Sequence, residues 1–212
     1  MRNILEQIVD TKRDELQVSQ RARPIAALQQ MPLYHSPGPS AVERARTGNA
    51  TGIIAEFKRR SPSKGWIHEQ ADPVQVTTGY AKGGAAAISV LTDEQYFGGA
   101  LHDLLAVRQA VDVPLLRKDF TINAYQLHEA RAYGANIILL IAAILSPSQV
   151  QEFAEEAHSI GLEVLLELHG EEELEHICPA VEMVGINNRN LKNFEVNIDH
   201  SIRMVKQLPS HT

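Results

Sequence analysis

From residue 52 onward, the sequence alternates short apolar runs with longer amphipathic stretches, at a repeat of roughly 25 residues. This alternation is typical of βα units, since strands buried on both faces of a parallel sheet read as unbroken runs of Val, Ile and Leu. Six runs are predicted as strands: GIIAEFK (52–58), AAISVLT (86–92), VPLLRKD (113–119), NIILLIA (136–142), LEVLLEL (162–168) and VEMVGIN (181–187). Helical periodicity predicts helices in 72–84, 98–111, 123–134, 146–161, 170–177 and 198–208. The chain is therefore expected to adopt an α/β fold.

The first fifty residues do not follow this repeat. An amphipathic helix is predicted over residues 1–18, because apolar side chains recur on one helical face at Ile4, Leu5, Ile8, Val9 and Leu16. Residues 31–40 contain three prolines and a glycine, which predicts a loop. A short helix is then expected over 40–47, with Ser40 as its N-cap. Residues 1–50 thus form a helical extension, packed on a repeated domain that spans 51–212.

The repeat suits either a closed (β/α)8 barrel or an open doubly wound sheet. Polar residues decide between them, because a different predicted strand carries each of Lys58, Lys118, Glu167 and Asn187 at its C-terminal end. The carboxyl ends of barrel strands form the rim where active sites of that fold are built. A dinucleotide-binding sheet would need a G-x-G-x-x-G turn after its first strand, whereas this chain has EFKRRSPSKGW. A TIM-type (β/α)8 barrel is predicted, of which about six βα units are visible.

Composition excludes several classes of function. The net charge of −6 and the 5% aromatic content argue against a nucleic-acid partner, which would require a basic surface and stacking platforms. No apolar stretch is long enough for a membrane span, and the charged N-terminus lacks the apolar core of a secretory signal. We therefore expect a cytoplasmic protein. The nine histidines and one cysteine show no metal-ligand spacing, so no metal site is predicted.

Charged side chains are predicted to converge on the inside of the barrel. Glu56 and Lys58 are two residues apart on one strand and therefore point to the same face. Lys118 points to that face from the third strand and Glu167 from the fifth, so the last two could meet as general acid and general base. The alternative for Glu56 and Lys58 is a strand-end salt bridge, and for Glu167 a solvated strand end. Asn187 adds a donor and an acceptor at the sixth strand.

Other candidate residues lie on loops at the same rim. Phe97 and Phe120 could sandwich an aromatic substrate or simply plug the local core. Ser61 belongs to a constrained turn whose hydroxyls could hold an anion. Arg59 and Arg60 are interpreted as solvated loop cations.

Six stretches together resemble the indole-3-glycerol-phosphate synthase family: IIAEFKRRSPSKG, SVLTDEQYFGG, LLRKDFTINAYQ, GANIILLIAAIL, LEVLLELH and VGINNRNL. They occur in the right order and at the right strand ends. The resemblance implies a carboxy-lyase of tryptophan biosynthesis. Its substrate is 1-(2-carboxyphenylamino)-1-deoxyribulose 5-phosphate, which loses carbon dioxide and water as the ring closes. The resemblance implies neither a cofactor nor a metal.

The resemblance also implies roles for individual residues. Lys118 matches the general acid that acts on the carbonyl or the departing hydroxyl, and Glu167 matches the general base of the dehydration. Lys58 is expected near the substrate carboxylate, with Glu56 orienting the lysines, and Asn187 matches a polar ligand. Further positions lining the substrate pocket are Ser61, Phe97, Phe120 and Arg189.

The family continues past the sixth helix with two more strands, which do not follow Leu208 in this sequence. In such barrels these strands hold the substrate phosphate on backbone N–H groups. From the sequence alone we expect weak or absent activity and some self-association through open sheet edges. Two alternatives stay open, namely a non-catalytic barrel that binds a ligand or partner, and another phosphosugar barrel such as phosphoribosylanthranilate isomerase. The isomerase would not explain Glu56, Lys58 and Lys118 or the N-terminal extension.

Overall fold

A computed structural model describes residues 3–48, 50–188 and 196–209. In these residues the strands are β1 (Ile54–Phe57), β2 (Arg60–Ser61), β3 (Gly65–Trp66), β4 (Ala87–Leu91), β5 (Leu115–Lys118), β6 (Ile137–Ile141), β7 (Glu163–Leu168) and β8 (Met183–Ile186). The α-helices are α1 (Ile4–Ala22), α2 (Ile25–Leu28), α3 (Ala41–Arg46), α4 (Pro73–Lys82), α5 (Glu94–Phe97), α6 (Leu101–Ala110), α7 (Tyr125–Ala132), α8 (Pro147–Ser159) and α9 (Ile198–Val205).

The six predicted strands form one parallel sheet in the order β1-β4-β5-β6-β7-β8. This order confirms the predicted βα repeat, because each strand pairs with the next one in the repeat. The register places Leu91 beside Lys118, Ile141 beside Glu167, and Glu167 beside Gly185. The carboxyl ends of neighbouring strands therefore lie side by side at one rim.

The two faces of the sheet carry different apolar clusters. Along β7, Val164, Leu166 and Leu168 are fully buried and belong to the larger cluster, which the sheet shares with α6, α7 and α8. Leu165 points to the opposite, inner face and packs with a smaller cluster that includes Leu139. This alternation follows from the pleat, which sends successive side chains to opposite faces. The inner cluster lies below the residues at the carboxyl ends of the strands.

The N-terminal extension contacts the rest of the protein at two points, one on helix α7 and one on strand β7. Helix α1 packs through Leu16 against α7, where the hydroxyl of Tyr125 donates hydrogen bonds to the backbone carbonyls of Ser19 and Arg23. Helix α3 begins after the predicted N-cap Ser40, whose side chain accepts the N–H of Glu43. The carboxylate of Glu163, at the start of β7, accepts the N–H of Ala41 at 2.7 Å and also contacts the Ser40 hydroxyl.

One local feature differs from the sequence prediction. Residues 170–177, predicted as helical, form a 3₁₀ helix over Glu171–His176. The segment is short, and two of its side chains bind groups outside it. Glu173 accepts the N–H of His169, four residues earlier, at 2.6 Å, and His176 contacts the Leu145 carbonyl at 3.0 Å. The turn predicted at residues 61–63 is present, and residues 62–64 close the hairpin β2–β3. No helix in the described ranges combines the length and apolar character required to cross a bilayer.

Candidate active site

Lys118, Glu167 and Asn187 meet at the rim of the sheet. The ammonium of Lys118 lies 3.2 Å from Oε2 of Glu167, and the side-chain amide of Asn187 donates to Oε1 of the same carboxylate at 3.0 Å. The three residues stand at the ends of β5, β7 and β8, so their meeting follows from parallel pairing. The predicted contact between Lys118 and Glu167 is confirmed.

The environment of Glu167 favours its charged form. Burial alone would raise the pKa of this carboxyl, but the Lys118 ammonium and the hydrogen bond from Asn187 more than offset the burial, so the pKa lies below its usual value. Glu167 is therefore a carboxylate at neutral pH and can accept a proton. The Lys118 ammonium beside it can donate one.

Glu56 and Lys58 also reach the rim, from β1. Their carboxylate and ammonium pair at 2.5 Å, and about a third of each side chain is exposed. The strand-end salt bridge considered from the sequence is thus present. It does not exclude a role in the site, because both residues line a small inner cavity that Lys118 also lines.

That cavity has a volume of about 80 Å³ and includes both predicted aromatic residues. The rings of Phe97 and Phe120 lie 5.9 Å apart between centroids and are tilted by 38°. Phe97 ends helix α5, and Phe120 follows Lys118 by two residues. The apolar floor comes from Leu139 and Ile141 of β6. The cavity is thus lined both by apolar side chains and by the side chains of Lys58 and Lys118.

Of the other predicted pocket residues, the structure describes Ser61 alone, and it does not line this cavity. Ser61 is buried in β2, where its hydroxyl accepts the N–H of Lys64 at 3.3 Å, and it is not among the described residues that line the cavity. Arg189 lies outside the residues that the structure describes.

The interpretation of Arg59 as a solvated loop cation is wrong. Its guanidinium binds Asp103 of α6 through two hydrogen bonds and stacks over the ring of Phe57, with 5.0 Å from Cζ to the ring centroid. It also donates to the carbonyl of Gly98, next to Phe97, at 3.2 Å. Arg59 therefore joins the loop after β1 to the loop that carries one aromatic wall. Arg60 stacks on Trp66.

Sequence reasoning missed a histidine beside the candidate base. His169 follows β7, and its Nε2 lies 3.5 Å from Oε1 of Glu167, while Nδ1 lies 3.7 Å from a carboxylate oxygen of Glu173. Its position two residues after Glu167 was the available signal. In the described ranges, no three or more His, Cys, Asp or Glu side chains are grouped in a way that would hold a metal ion.

Comparison with known proteins agrees with this geometry. A family model described as indole-3-glycerol phosphate synthase matches residues 5–212. The chain belongs to this family. It is 48% identical over 209 residues to a relative from Bacteroides thetaiotaomicron named indole-3-glycerol phosphate synthase, covering 99% of this chain and 80% of the relative. A relative of the same name from Burkholderia vietnamiensis is 42% identical, with 99% of this chain and 82% of the relative covered.

Solved structures support the fold independently of the family. A chain of the tryptophan synthase complex from Pyrococcus furiosus matches with a TM-score of 0.54 at 16% identity, covering 76% of this chain and 75% of that one. The 3-keto-L-gulonate-6-phosphate decarboxylase of Vibrio cholerae matches with a TM-score of 0.54 at 16% identity, covering 73% and 72%. At this identity the likeness concerns the barrel-type fold alone. The predicted α/β barrel class is confirmed.

Proposed function

We propose that this protein is a carboxy-lyase that converts 1-(2-carboxyphenylamino)-1-deoxyribulose 5-phosphate into indole-3-glycerol phosphate. The observation that carries the proposal is the contact between Lys118 and Glu167 at a rim that also presents two aromatic rings. The proposed substrate is inferred from membership of the family. The proposed reaction uses acid–base groups of the protein and needs no cofactor.

In the proposed mechanism, Lys118 donates a proton to the ribulose carbonyl oxygen while the aryl carbon that bears the carboxylate attacks the carbonyl carbon. The new bond is carbon–carbon, and the carbonyl oxygen becomes a hydroxyl. The bond to the carboxylate then breaks, carbon dioxide leaves, and its electron pair restores the aromatic ring. This step needs no covalent nucleophile on the protein.

Dehydration completes the indole. Glu167 removes the proton from the methylene carbon next to nitrogen, and Lys118, after taking up a proton again, protonates the departing hydroxyl so that water leaves. The lowered pKa of Glu167 keeps it ionised for this step, while Asn187 fixes the orientation of its carboxylate. Overall, one proton is consumed for each carboxylate converted to carbon dioxide.

The remaining rim residues bind and orient the substrate in this proposal. Lys58 pairs with the substrate carboxylate, and Glu56, whose own carboxylate lies 2.5 Å from the Lys58 ammonium, holds that ammonium in place. Phe97 and Phe120 hold the aromatic ring against the apolar floor. For Ser61 and Arg189, contact with the substrate stays a prediction.

The proposal is tested by the fluorescence of the indole product. Lys118→Met and Glu167→Gln are each expected to lower kcat by about 10²-fold or more, the usual contribution of a positioned acid or base. Lys82→Met is the matched control, because Lys82 is exposed at the end of α4. Wild-type protein that forms no indole, or active-site variants as fast as the control, would contradict the proposal and favour a non-catalytic binding barrel.

The domain organisation, the self-association and the location of the protein are also part of the proposal. Residues 1–50 act as a helical extension of a barrel unit spanning 51–212.

Self-association is supported by exposed apolar side chains, namely Ile53 and Ile54 at the β1 edge, and Ile198, Ile202 and Val205 on α9. Light scattering at increasing protein concentration tests it, and a constant monomer mass would refute it. The cytoplasmic location stays a prediction.

A further inference from the structure

A buried lysine of the N-terminal helix contacts both loops that carry the aromatic residues of the cavity, Phe97 and Phe120. Lys12 lies on the packed stripe of α1 between Ile8 and Leu16, and only 5% of it is exposed. Its ammonium lies 3.2 Å from Asp93 and 3.1 Å from Asp119, both of which are more than nine-tenths buried. These aspartates follow β4 and β5, so one cation connects the ends of two neighbouring strands.

Asp93 stabilises the loop that carries Phe97 through hydrogen bonds. Its Oδ1 caps helix α5 by accepting the N–H of Tyr96 at 2.8 Å, and its backbone carbonyl accepts the N–H of Gly99 at 2.8 Å. Its other carboxylate oxygen, Oδ2, faces Lys12 and has no hydrogen-bond donor among the described residues. Lys12 therefore supplies the opposing charge that this buried oxygen requires.

Asp119 holds the second wall, since it stands between Lys118 and Phe120. Its Oδ1 accepts the N–H of Phe120 at 2.8 Å, and its Oδ2 accepts the hydroxyl of Thr92 at 2.6 Å. Arg117 lies 3.2 Å from the same carboxylate. Although burial would raise the pKa of Asp119, Lys12 and Arg117 lower it to about 2, so the group is a carboxylate at neutral pH.

We propose that Lys12 is a positioning residue of the active site, which sets the separation of Phe97 and Phe120 and the placement of Lys118 by holding Asp93 and Asp119 together. The kinetic part of this inference rests on the proposed function. Without the ammonium, two buried carboxylates face each other with less opposing charge, and the loops that they anchor separate. A shift of about 1 Å in groups that hold a substrate can cost about 10²-fold in rate.

The first test does not depend on turnover. The chain contains five phenylalanines, which can all be replaced by 4-fluorophenylalanine and observed by fluorine NMR. In Lys12→Met, the resonances of Phe97 and Phe120 are expected to shift or broaden, while that of Phe153, buried in α8, stays in place. Unchanged resonances for both rim rings in a folded Lys12→Met protein would overturn the proposal.

The second test is kinetic and uses Arg13→Met as the matched control, because Arg13 is the next residue of α1 but is 64% exposed. At a temperature where both variants are folded, Lys12→Met is expected to lower kcat/KM by about tenfold or more, with part of the loss in kcat, and Arg13→Met to leave it unchanged. A purely stabilising lysine would leave kcat and KM of the folded protein at wild-type values, and that result would overturn the proposal. Wild-type protein without turnover would instead refute the proposed function and leave the NMR test intact.

If Lys12→Met does not fold, the double variant Lys12→Met/Asp93→Asn replaces the test. It removes one charge of each sign, and the asparagine side chain can still cap α5. Displaced resonances of Phe97 and Phe120 are expected in it, because no ammonium then holds Asp119 beside residue 93. Recovery of both wild-type resonances and wild-type kcat/KM in the double variant would show that charge balance alone matters and would overturn the positioning role.

Discussion

Replacing Glu163 by Gln is expected to destabilise the protein without affecting its chemistry. The Glu163 carboxylate accepts the backbone N–H groups of Ala41 at 2.7 Å and Val42 at 3.4 Å, and it contacts the Ser40 hydroxyl. Glutamine keeps the shape but turns an N–H₂ toward one of these donors, so at least one hydrogen bond to a charged group, worth about 1.5–3 kcal/mol, is lost. The negative charge at the N-terminus of α3 contributes about 0.3–1 kcal/mol more. The free energy of unfolding should therefore fall by about 2–4 kcal/mol.

Urea unfolding followed by circular dichroism measures this loss, with Glu152→Gln, on the exposed face of α8, as the control. The melting temperature should fall by about 5 to 15 °C in a chain of this size. Glu163 and Glu167 lie at opposite ends of β7, about 13 Å apart along the strand, so kcat/KM should stay within about twofold of wild type. A loss of stability no greater than that of Glu152→Gln would refute the reasoning, since Glu163 would then not hold α3 on the sheet.

Three further results are expected. Asn187→Ala removes a hydrogen bond that lowers the pKa of Glu167, so the acid limb of the kcat profile should move to higher pH, and an unmoved limb would count against Glu167 as the base. In the folded protein the pKa of Asp119 is about 2, against an ordinary value of 3.8. The Asp119 carboxylate therefore contributes about 2 kcal/mol to the free energy of unfolding above pH 4, and this contribution is lost as the pH falls toward 2. In acid unfolding, the stability of Asp119→Asn should lack this dependence on pH. Leu166→Ala in the fully buried cluster should cost about 2–5 kcal/mol in urea unfolding, and a cost below about 1 kcal/mol would contradict its packing.

Much of the sheet was predictable because parallel strands buried on both faces leave a strong apolar signal. The same regularity made the contact of Lys118 with Glu167 predictable, since strand alternation gives the face and parallel pairing brings the carboxyl ends to one rim. The type of helix was less predictable, as the 3₁₀ helix at Glu171–His176 shows. There, contacts of the Glu173 and His176 side chains with groups outside the segment outweigh a weak local helical preference.

Long-range ion pairs could not be predicted in the same way. Arg59 and Asp103 are 44 residues apart, and nothing in either local sequence specifies the other. Lys12 offered a partial signal, because a lysine in the middle of an apolar helical stripe must either break the packing or meet a buried carboxylate. Which carboxylate it meets depends on how α1 lies against the rim, and that is a property of the whole fold.

The most direct test of the central claim follows carbon dioxide and indole separately in a single turnover. If Lys118 drives ring closure and Glu167 the later loss of water, Lys118→Met should release neither product at an appreciable rate. Glu167→Gln should still release carbon dioxide, up to one equivalent per site, while its indole fluorescence rises far more slowly. Equal rates of carbon dioxide release and indole formation in Glu167→Gln, or wild-type release of carbon dioxide by Lys118→Met, would contradict the account.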